Sequence, residues 1–123
     1  MRTFAVALAS VALLAGCGGG GGGNANAQPA GSIKITMTEF KFEPSALSAP
    51  TGAVVFFLIN SGTTSHDMVI RDSTGKRLAA SELVSAGDSF VFTVSTLAAG
   101  TYKFFCDQPG HEASGMFGSL TIT

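Results

Sequence analysis

Residues 32–123 are divided into short apolar runs separated by turn-forming residues, and this pattern limits the possible folds more than any other feature. Residues 33–38 alternate apolar and polar side chains with period two, which is typical of a half-buried strand. Residues 53–60 form a continuous apolar run of strand length. Turn signals separate the runs, at 50–52, 73–76, 86–88 and 98–100. The pattern predicts an all-β domain, a Greek-key β-sandwich with about 7–8 strands.

Further apolar runs complete the predicted set of strands, at 66–70, 89–95, 102–106 and 118–123. In the first of these runs, His66, Met68 and Ile70 would share one face, because side chains alternate along a strand. Met37 and Met68 are predicted to be core residues. Residues 81–84 are a candidate for a single helical turn.

Length and composition are those of one small domain. The chain has 123 residues, of which 46% are hydrophobic and 12% are charged. A domain of this size buries about 60–70% of the surface that its unfolded chain exposes, which is enough for one core. The chain has two cysteines, Cys17 and Cys106. If Cys17 belongs to a leader, Cys106 has no partner and an internal disulfide is excluded.

The first sixteen residues have the pattern of an export signal. Arg2 provides a positive start, and an apolar stretch follows at 4–15. That stretch would be roughly 18 Å long as a helix, too short for the ~30 Å core of a bilayer. We therefore expect residues 1–16 to be a signal peptide rather than a membrane span. The tetrapeptide ending at Cys17 resembles a bacterial lipobox, which implies lipidation of Cys17; the alternative is an ordinary signal peptide with an incidental cysteine.

Residues 17–31 are predicted to be a flexible linker. Six consecutive glycines follow Cys17, and the segment has no apolar periodicity. Such a segment buries too little apolar surface to offset its ordering entropy, and its reach would be roughly 20 Å. We expect it to tether the domain at 32–123 to a bacterial cell membrane, on the periplasmic or extracellular face.

Four side chains have the composition of a copper site. Cys106, His111 and Met116 are separated by four residues each, and His66 lies forty residues before Cys106. A thiolate, two imidazoles and a weak axial thioether form the trigonal copper site that transfers single electrons. A strand would deliver Cys106, and a short loop would carry His111 before the next strand opens at Met116.

Each of these residues also has an ordinary explanation. A lone cysteine is usually a small buried hydrophobe, and a lone methionine usually fills a core gap. A lone histidine is more often a hydrogen-bonded residue than a ligand. The combination favours metal binding, because Gly110 beside His111 and Gly115 beside Met116 allow the backbone to bend around an ion. One copper ion cycling between Cu(I) and Cu(II) is the predicted cofactor.

The segments 100–106 and 116–122 resemble the copper-loop signature of cupredoxins, the plastocyanin- and azurin-like type 1 blue copper proteins. The spacing of four residues between Cys106 and His111, and four between His111 and Met116, is similar to that of auracyanin-type members. The segment 60–66 resembles the loop that delivers the upstream histidine. The resemblance spans roughly residues 33–123.

The resemblance implies a role for each histidine. His111 would reach the surface and pass the electron, with an apolar docking patch around it formed by Pro109, Gly110, Ala113 and Phe117. His66 would be the buried ligand, and the carbonyl of Ser65 would be a distant fifth contact.

Residues near the ligands receive two further predictions. Phe105, Pro109 and Phe117 are expected to keep water from the metal. Asp67 occupies a position where the family often has an asparagine that braces the cysteine loop. A carboxylate can accept loop N–H groups, and its charge would favour oxidised copper. The alternative for Asp67 is a solvated strand residue.

Charge gives little information about partners. From residue 32 onward there are six Lys/Arg and eight Asp/Glu, a formal balance of −2. Asp107 and Glu112 flank the copper loop; they could favour a basic partner or only solubility. No basic patch indicates nucleic acid. Membrane-bound or exported redox proteins are the expected partners of a monomer.

Three functional classes remain possible: a lipid-anchored electron carrier, a protein for copper storage or delivery, and a copper enzyme. The sequence has no second cluster of histidines for a catalytic copper, so we expect no enzyme. The copper sites of storage and delivery proteins tend to be exposed and rich in methionine or histidine. The four ligands here are instead expected to form a site that is closed to solvent. The electron carrier is therefore the leading hypothesis.

Overall fold

A computed structural model describes residues 27–123, and their regular elements are all β-strands. Nine strands lie in this part of the chain: β1 Ile33–Thr38, β2 Lys41–Glu43, β3 Ala46–Ala49, β4 Gly52–Asn60, β5 Val69–Arg71, β6 Arg77–Ala80, β7 Ser89–Leu97, β8 Gly100–Phe105 and β9 Phe117–Ile122.

The strands form two sheets of mixed direction. One sheet has the order β2-β1-β4-β7 and the other the order β3-β9-β8-β5-β6. The pairs β1–β4 and β3–β9 are parallel, and the remaining neighbours are antiparallel. The all-β sandwich predicted from the sequence is confirmed.

One hydrophobic core collects the inward side chains of both sheets. On β1, Ile35 and Met37 are fully buried at alternate positions, as the period-two pattern requires. The apolar run of β4 places Phe56 and Leu58 in the same core, and Leu120 enters it from β9. The continuous core fixes the ends of the strands that carry the candidate ligands.

The number of strands is higher than the predicted 7–8, because the sequence pattern does not indicate β2, β3 and β6. These strands have three or four residues each, too few for an alternating pattern to stand out. Each completes the edge of a sheet: β2 pairs with β1, β3 with β9 and β6 with β5.

Two predictions for the segments around β5 are wrong. The strand predicted at 66–70 begins only at Val69, and His66 joins the sheet region through an isolated bridge to Val84. The helical turn considered at 81–84 is also absent from the structure. The backbones of His66 and Val84 exchange hydrogen bonds of 3.1 and 2.8 Å, which hold both segments extended. The prediction that Met68 is a core residue is confirmed.

The predicted signal peptide at 1–16, Cys17 and most of the linker at 17–31 lie outside the described residues. Within residues 27–123, no helix has the length and hydropathy needed to cross a bilayer.

Candidate metal centre

The loop after β4 delivers His66 to the end of the sandwich. Asn60, the last residue of β4, is buried, and its side-chain amide donates to the carbonyls of Thr64 and Val84 at 2.8 Å each. Its side-chain oxygen accepts the N–H of Gly62 at 2.9 Å. One buried amide therefore ties both ends of the loop to the bridge that holds His66, whose side chain is fully buried.

The loop between β8 and β9 delivers the other candidates. The N–H of Cys106 donates to the carbonyl of Met116 at 3.1 Å, and the N–H of Met116 donates to the carbonyl of His111 at 3.1 Å. Gly110 and Gly115 have φ values of 80° and 110°, which side chains rarely adopt. The loop is therefore closed on itself by its own backbone, with glycine at the two positions that require it.

Three potential ligand atoms converge between these loops. The Sγ atom of Cys106 lies 3.4 Å from Nδ1 of His111 and 3.9 Å from Nδ1 of His66. The two Nδ1 atoms lie 3.2 Å apart. All three atoms fall within 4.8 Å of one another, which is a group that could hold a metal ion. The structure thus brings together three of the four predicted ligands.

Met116, the fourth predicted ligand, lies beside this group. It is fully buried, and it belongs to the same hydrophobic cluster as Cys106. Its backbone is hydrogen-bonded to both Cys106 and His111. The strand after the loop begins at Phe117, one residue after the expected opening at Met116 and one residue before the run predicted at 118–123.

The tautomer of His66 suits a metal ligand. Its Nε2 atom lies 3.1 Å from Oε1 of Glu39, and an ionised carboxylate can only accept a hydrogen bond. Nε2 therefore carries the hydrogen, and the lone pair of Nδ1 points toward Cys106 and His111. At most one hydrogen can lie between two nitrogens 3.2 Å apart, so a cation that accepts both lone pairs fits this arrangement.

Burial affects the protonation states of Cys106 and His66 when no metal is bound. It raises the pKa of the Cys106 thiol to about 11, against the opposing effect of hydrogen bonds from the Asp67 and Gln108 amides. Burial also lowers the pKa of His66, which favours the neutral imidazole. A neutral imidazole is the ligating form, and a bound metal would deprotonate the thiol. The donor set and its protonation both fit copper.

Asp67 connects the segment of His66 with the segment of Cys106. Its Oδ1 atom accepts the N–H of Asp107 at 2.7 Å. The side chain is half-buried, and the contact spans forty residues of sequence. This carboxylate occupies the bracing position that the sequence suggested for it.

The acidic residues that flank the loop are paired within the molecule. Glu112 accepts from Arg71 and from Lys103, the latter at 2.9 Å, and Asp107 pairs with Arg77 at 2.8 Å. The hydrogen bond from Lys103 is the largest cause of the lowered pKa of Glu112. These ion pairs attach the loop to β5, β6 and β8.

The three residues expected to keep water from the metal differ in burial. Phe104 and Cys106 belong to the core, so Phe105 between them projects from the opposite face of the strand. Its buried ring lies 4.4 Å from the guanidinium of Arg71. Pro109 and Phe117 are exposed. Of these three residues, Phe105 is buried on the face away from the core.

Glu39, which lies between β1 and β2, is a residue of the site that the sequence pattern does not predict. Its Oε1 atom accepts the amides of Thr63 and Thr64 at 2.8 and 2.9 Å, in addition to its contact with His66. These hydrogen bonds, the Thr64 amide first, lower the pKa of Glu39 to about 2. No motif links a carboxylate in one hairpin to a histidine 27 residues later, so the sequence contains no signal for this contact.

The remaining predicted neighbours differ in exposure, and His111 itself is half-buried. Gly110 and Ala113 are exposed, and Ser65 is half-buried directly before His66. Phe40, also exposed, places its ring 4.8 Å from that of His111 in an edge-to-face arrangement.

Comparisons with known proteins agree with this geometry. Residues 4–121 match the family model described as the cupredoxin-like domain. The chain is 30% identical over 128 residues to plastocyanin from Prochlorothrix hollandica, covering 98% of this chain and 93% of that protein. It is 44% identical over 50 residues to auracyanin-B from Chloroflexus aurantiacus, covering 41% of this chain and only 21% of that relative.

The structure is also similar to a solved structure of auracyanin B. The TM-score is 0.67 at 27% identity, with 84% of this chain and 96% of that chain covered. The chain belongs to the cupredoxin-like family, and its His66, Cys106 and His111, with Met116 nearby, are arranged as the site of one copper ion.

Proposed function

We propose that this protein is a single-electron carrier with one type 1 (blue) copper held by His66, Cys106, His111 and Met116. The convergence of a buried thiol with two imidazole nitrogens is the observation that carries the proposal. A copper ion bound by such a set supplies one-electron chemistry, between Cu(I) and Cu(II). Family membership supports the same function.

The surrounding chain keeps these side chains in place. The bridge between His66 and Val84 holds one ligand segment, and the backbone bonds of the 106–116 loop hold the other. The carboxylate of Asp67 joins the two segments. Because backbone hydrogen bonds fix both segments, little rearrangement is expected when the charge of the site changes. A scaffold of this kind favours rapid electron transfer.

His111 is the proposed route for the electron. His66, Cys106 and Met116 are fully buried, whereas His111 is half-buried. What we call the loop face consists of exposed residues: Phe40, whose ring meets that of His111, and Pro109, Gly110, Ala113 and Phe117, which lie within six residues of His111 in sequence. An apolar surface of this kind lets a partner approach the imidazole closely and exclude water. A redox partner would dock on the loop face.

Titration of the purified full-length chain with Cu(II) tests the function. We expect intense visible absorption from thiolate-to-copper charge transfer and reversible one-electron cycling. Cys106→Ala should lose the colour, whereas Cys17→Ala should keep it. A colourless protein that prefers Cu(I) and exchanges it readily would instead indicate copper storage or delivery. Catalytic turnover of a substrate would indicate an enzyme.

We further propose that the carrier is an exported, monomeric lipoprotein that serves membrane-bound or exported redox partners. The lipobox-like sequence ending at Cys17 and the glycine run after it support this proposal. Expression in a bacterial host tests it by fractionation. The full chain should remain with the membranes, and Cys17→Ser should be recovered in the soluble fraction. Equal distribution of the two proteins would contradict the lipid anchor.

A further inference from the structure

The turn between β1 and β2 contacts both histidines of the metal centre. Glu39 lies against Nε2 of His66 at 3.1 Å, and Phe40 packs its ring against that of His111. Neither residue belongs to the two loops that carry the ligands. A third part of the chain therefore takes part in the site.

The carboxylate of Glu39 is held in one position by the loop before His66. Its Oε1 atom accepts the N–H groups of Thr63 and Thr64, and also the Thr64 hydroxyl at 2.9 Å. A side chain at Gly62 would overlap this carboxylate, so the loop packs directly onto it. The same oxygen atom meets His66. The acceptor for the imidazole is thus fixed before any metal binds.

The contact also fixes the imidazole. With Nε2 donating to Glu39, Nδ1 of His66 is left as the free base facing Cys106. Partners on the far nitrogen of a ligating histidine set its tautomer and ring orientation, and raise its basicity. A carboxylate in this place also puts a negative charge one ring away from the metal.

We propose that Glu39 is a positioning residue for the copper centre: its carboxylate holds His66 with Nδ1 toward Cys106, and its charge favours oxidised over reduced copper. The proposal deepens the electron-carrier function and rests on it. Glu39 does not touch the proposed ligand atoms and acts through the imidazole.

Glu39→Gln isolates the charge. An amide oxygen can accept the same hydrogen bonds as Oε1, but the side chain is neutral. Mutation of a residue that hydrogen-bonds a ligating histidine typically lowers metal affinity about 10–100-fold. If the ratio of Cu(II) to Cu(I) affinity falls about tenfold, the reduction potential rises by about 59 mV, the one-electron equivalent. Voltammetry of the copper-loaded variant measures this shift.

Glu43→Gln is the matched control. Glu43 lies in β2 of the same hairpin, is largely exposed and pairs with Lys41 at 3.5 Å. The variant removes the same formal charge without a contact to His66. A rise in potential for Glu39→Gln, but not for Glu43→Gln, supports the proposal. Equal potentials for both variants and the unmodified protein would overturn the role of the charge.

Glu39→Ala tests the positioning role without copper. Nitrogen-15 chemical shifts of His66 in the metal-free protein report which ring nitrogen carries the hydrogen. We expect the Nε2–H form in the unmodified chain and in Glu39→Gln, and a mixture in Glu39→Ala. An unchanged tautomer in Glu39→Ala would overturn positioning. If that variant does not fold, the Nδ1–H form in the unmodified chain or in Glu39→Gln would do so.

The two sets of experiments separate this inference from the proposed function. Failure of the unmodified protein to bind copper with visible colour would contradict the electron carrier, whatever the tautomer of His66. A coloured, redox-active protein whose potential and tautomer do not respond to Glu39 would contradict only this inference.

Discussion

Asp67 shows how one side chain links distant parts of the metal centre. It follows His66 directly in sequence and accepts the amide that follows Cys106. A carboxylate and a carboxamide can both accept this hydrogen bond, but only the first adds a charge. Replacing this aspartate by asparagine therefore removes the charge while an acceptor for the amide remains.

We expect Asp67→Asn to raise the reduction potential of the copper-loaded protein. The amide oxygen keeps an acceptor for Asp107, whereas loss of the negative charge makes the oxidised state less favourable. Voltammetry measures the shift, and Asp88→Asn at an exposed position serves as control. An unchanged potential in Asp67→Asn would show that its charge does not act on the metal.

Gly118 in β9 packs tightly between two neighbours. A Cβ atom there would overlap the ring of Phe104 and the carbonyl of Ser45. Phe104 is fully buried in the core, and the N–H of Ser119 in β9 donates to the carbonyl of Ser45 at 2.8 Å. Neither neighbour can move away without disturbing a strand.

Gly118→Ala is therefore expected to destabilise the fold by about 1–3 kcal/mol or more, the usual effect of overpacking. Urea unfolding of the metal-free domain measures the free energy of unfolding. Ser119→Ala, at the neighbouring exposed position of β9, should change it by less than about 0.5 kcal/mol. Equal stabilities for the two variants would contradict the close packing at Gly118.

The hairpin of β5 and β6 depends on one ionised carboxylate. Asp72 accepts the hydroxyl of Thr74 at 2.6 Å and the amides of Thr74 and Lys76 at 2.8 and 3.1 Å. The first of these contacts is the largest cause of the lowered pKa of Asp72. The turn is therefore stabilised by the charged form of the side chain.

Because the pKa of Asp72 is lower in the folded chain, its contribution is fully present above the ordinary aspartate value. It is lost as the pH falls through the folded-state value. Hydrogen exchange at the amides of Thr74 and Lys76, corrected for intrinsic rates, should speed up in that acid range. Asp72→Asn should weaken this pH dependence. Protection that does not depend on pH in the unmodified hairpin would contradict the assignment.

Across the domain, long patterned segments could be predicted from the sequence and short ones could not. The alternation at 33–38 and the apolar run at 53–60 correspond to β1 and β4, because burial on one or both faces leaves a pattern. β2 buries only Phe42, which is too little to form a pattern. The extended form of 81–84 depends on pairing with His66, a contact that propensity does not encode.

The residues of the metal centre also differ in whether the sequence predicts them. Cys106, His111 and Met116 could be proposed from spacing within one loop, and His66 from being the other histidine. Glu39 reaches the site only because β1 and β4 pair in parallel within one sheet, which places the turn after β1 against the loop after β4. Contacts between segments that are distant in the sequence leave no periodic pattern of residues.

X-ray absorption at the copper edge tests most directly whether these side chains share one copper ion. The copper-loaded protein is expected to show two nitrogen neighbours and one short sulfur neighbour, and Cys106→Ala is expected to lose the short sulfur. A spectrum of the unmodified protein with only nitrogen and oxygen neighbours would contradict the account. So would a short sulfur neighbour that persists in Cys106→Ala.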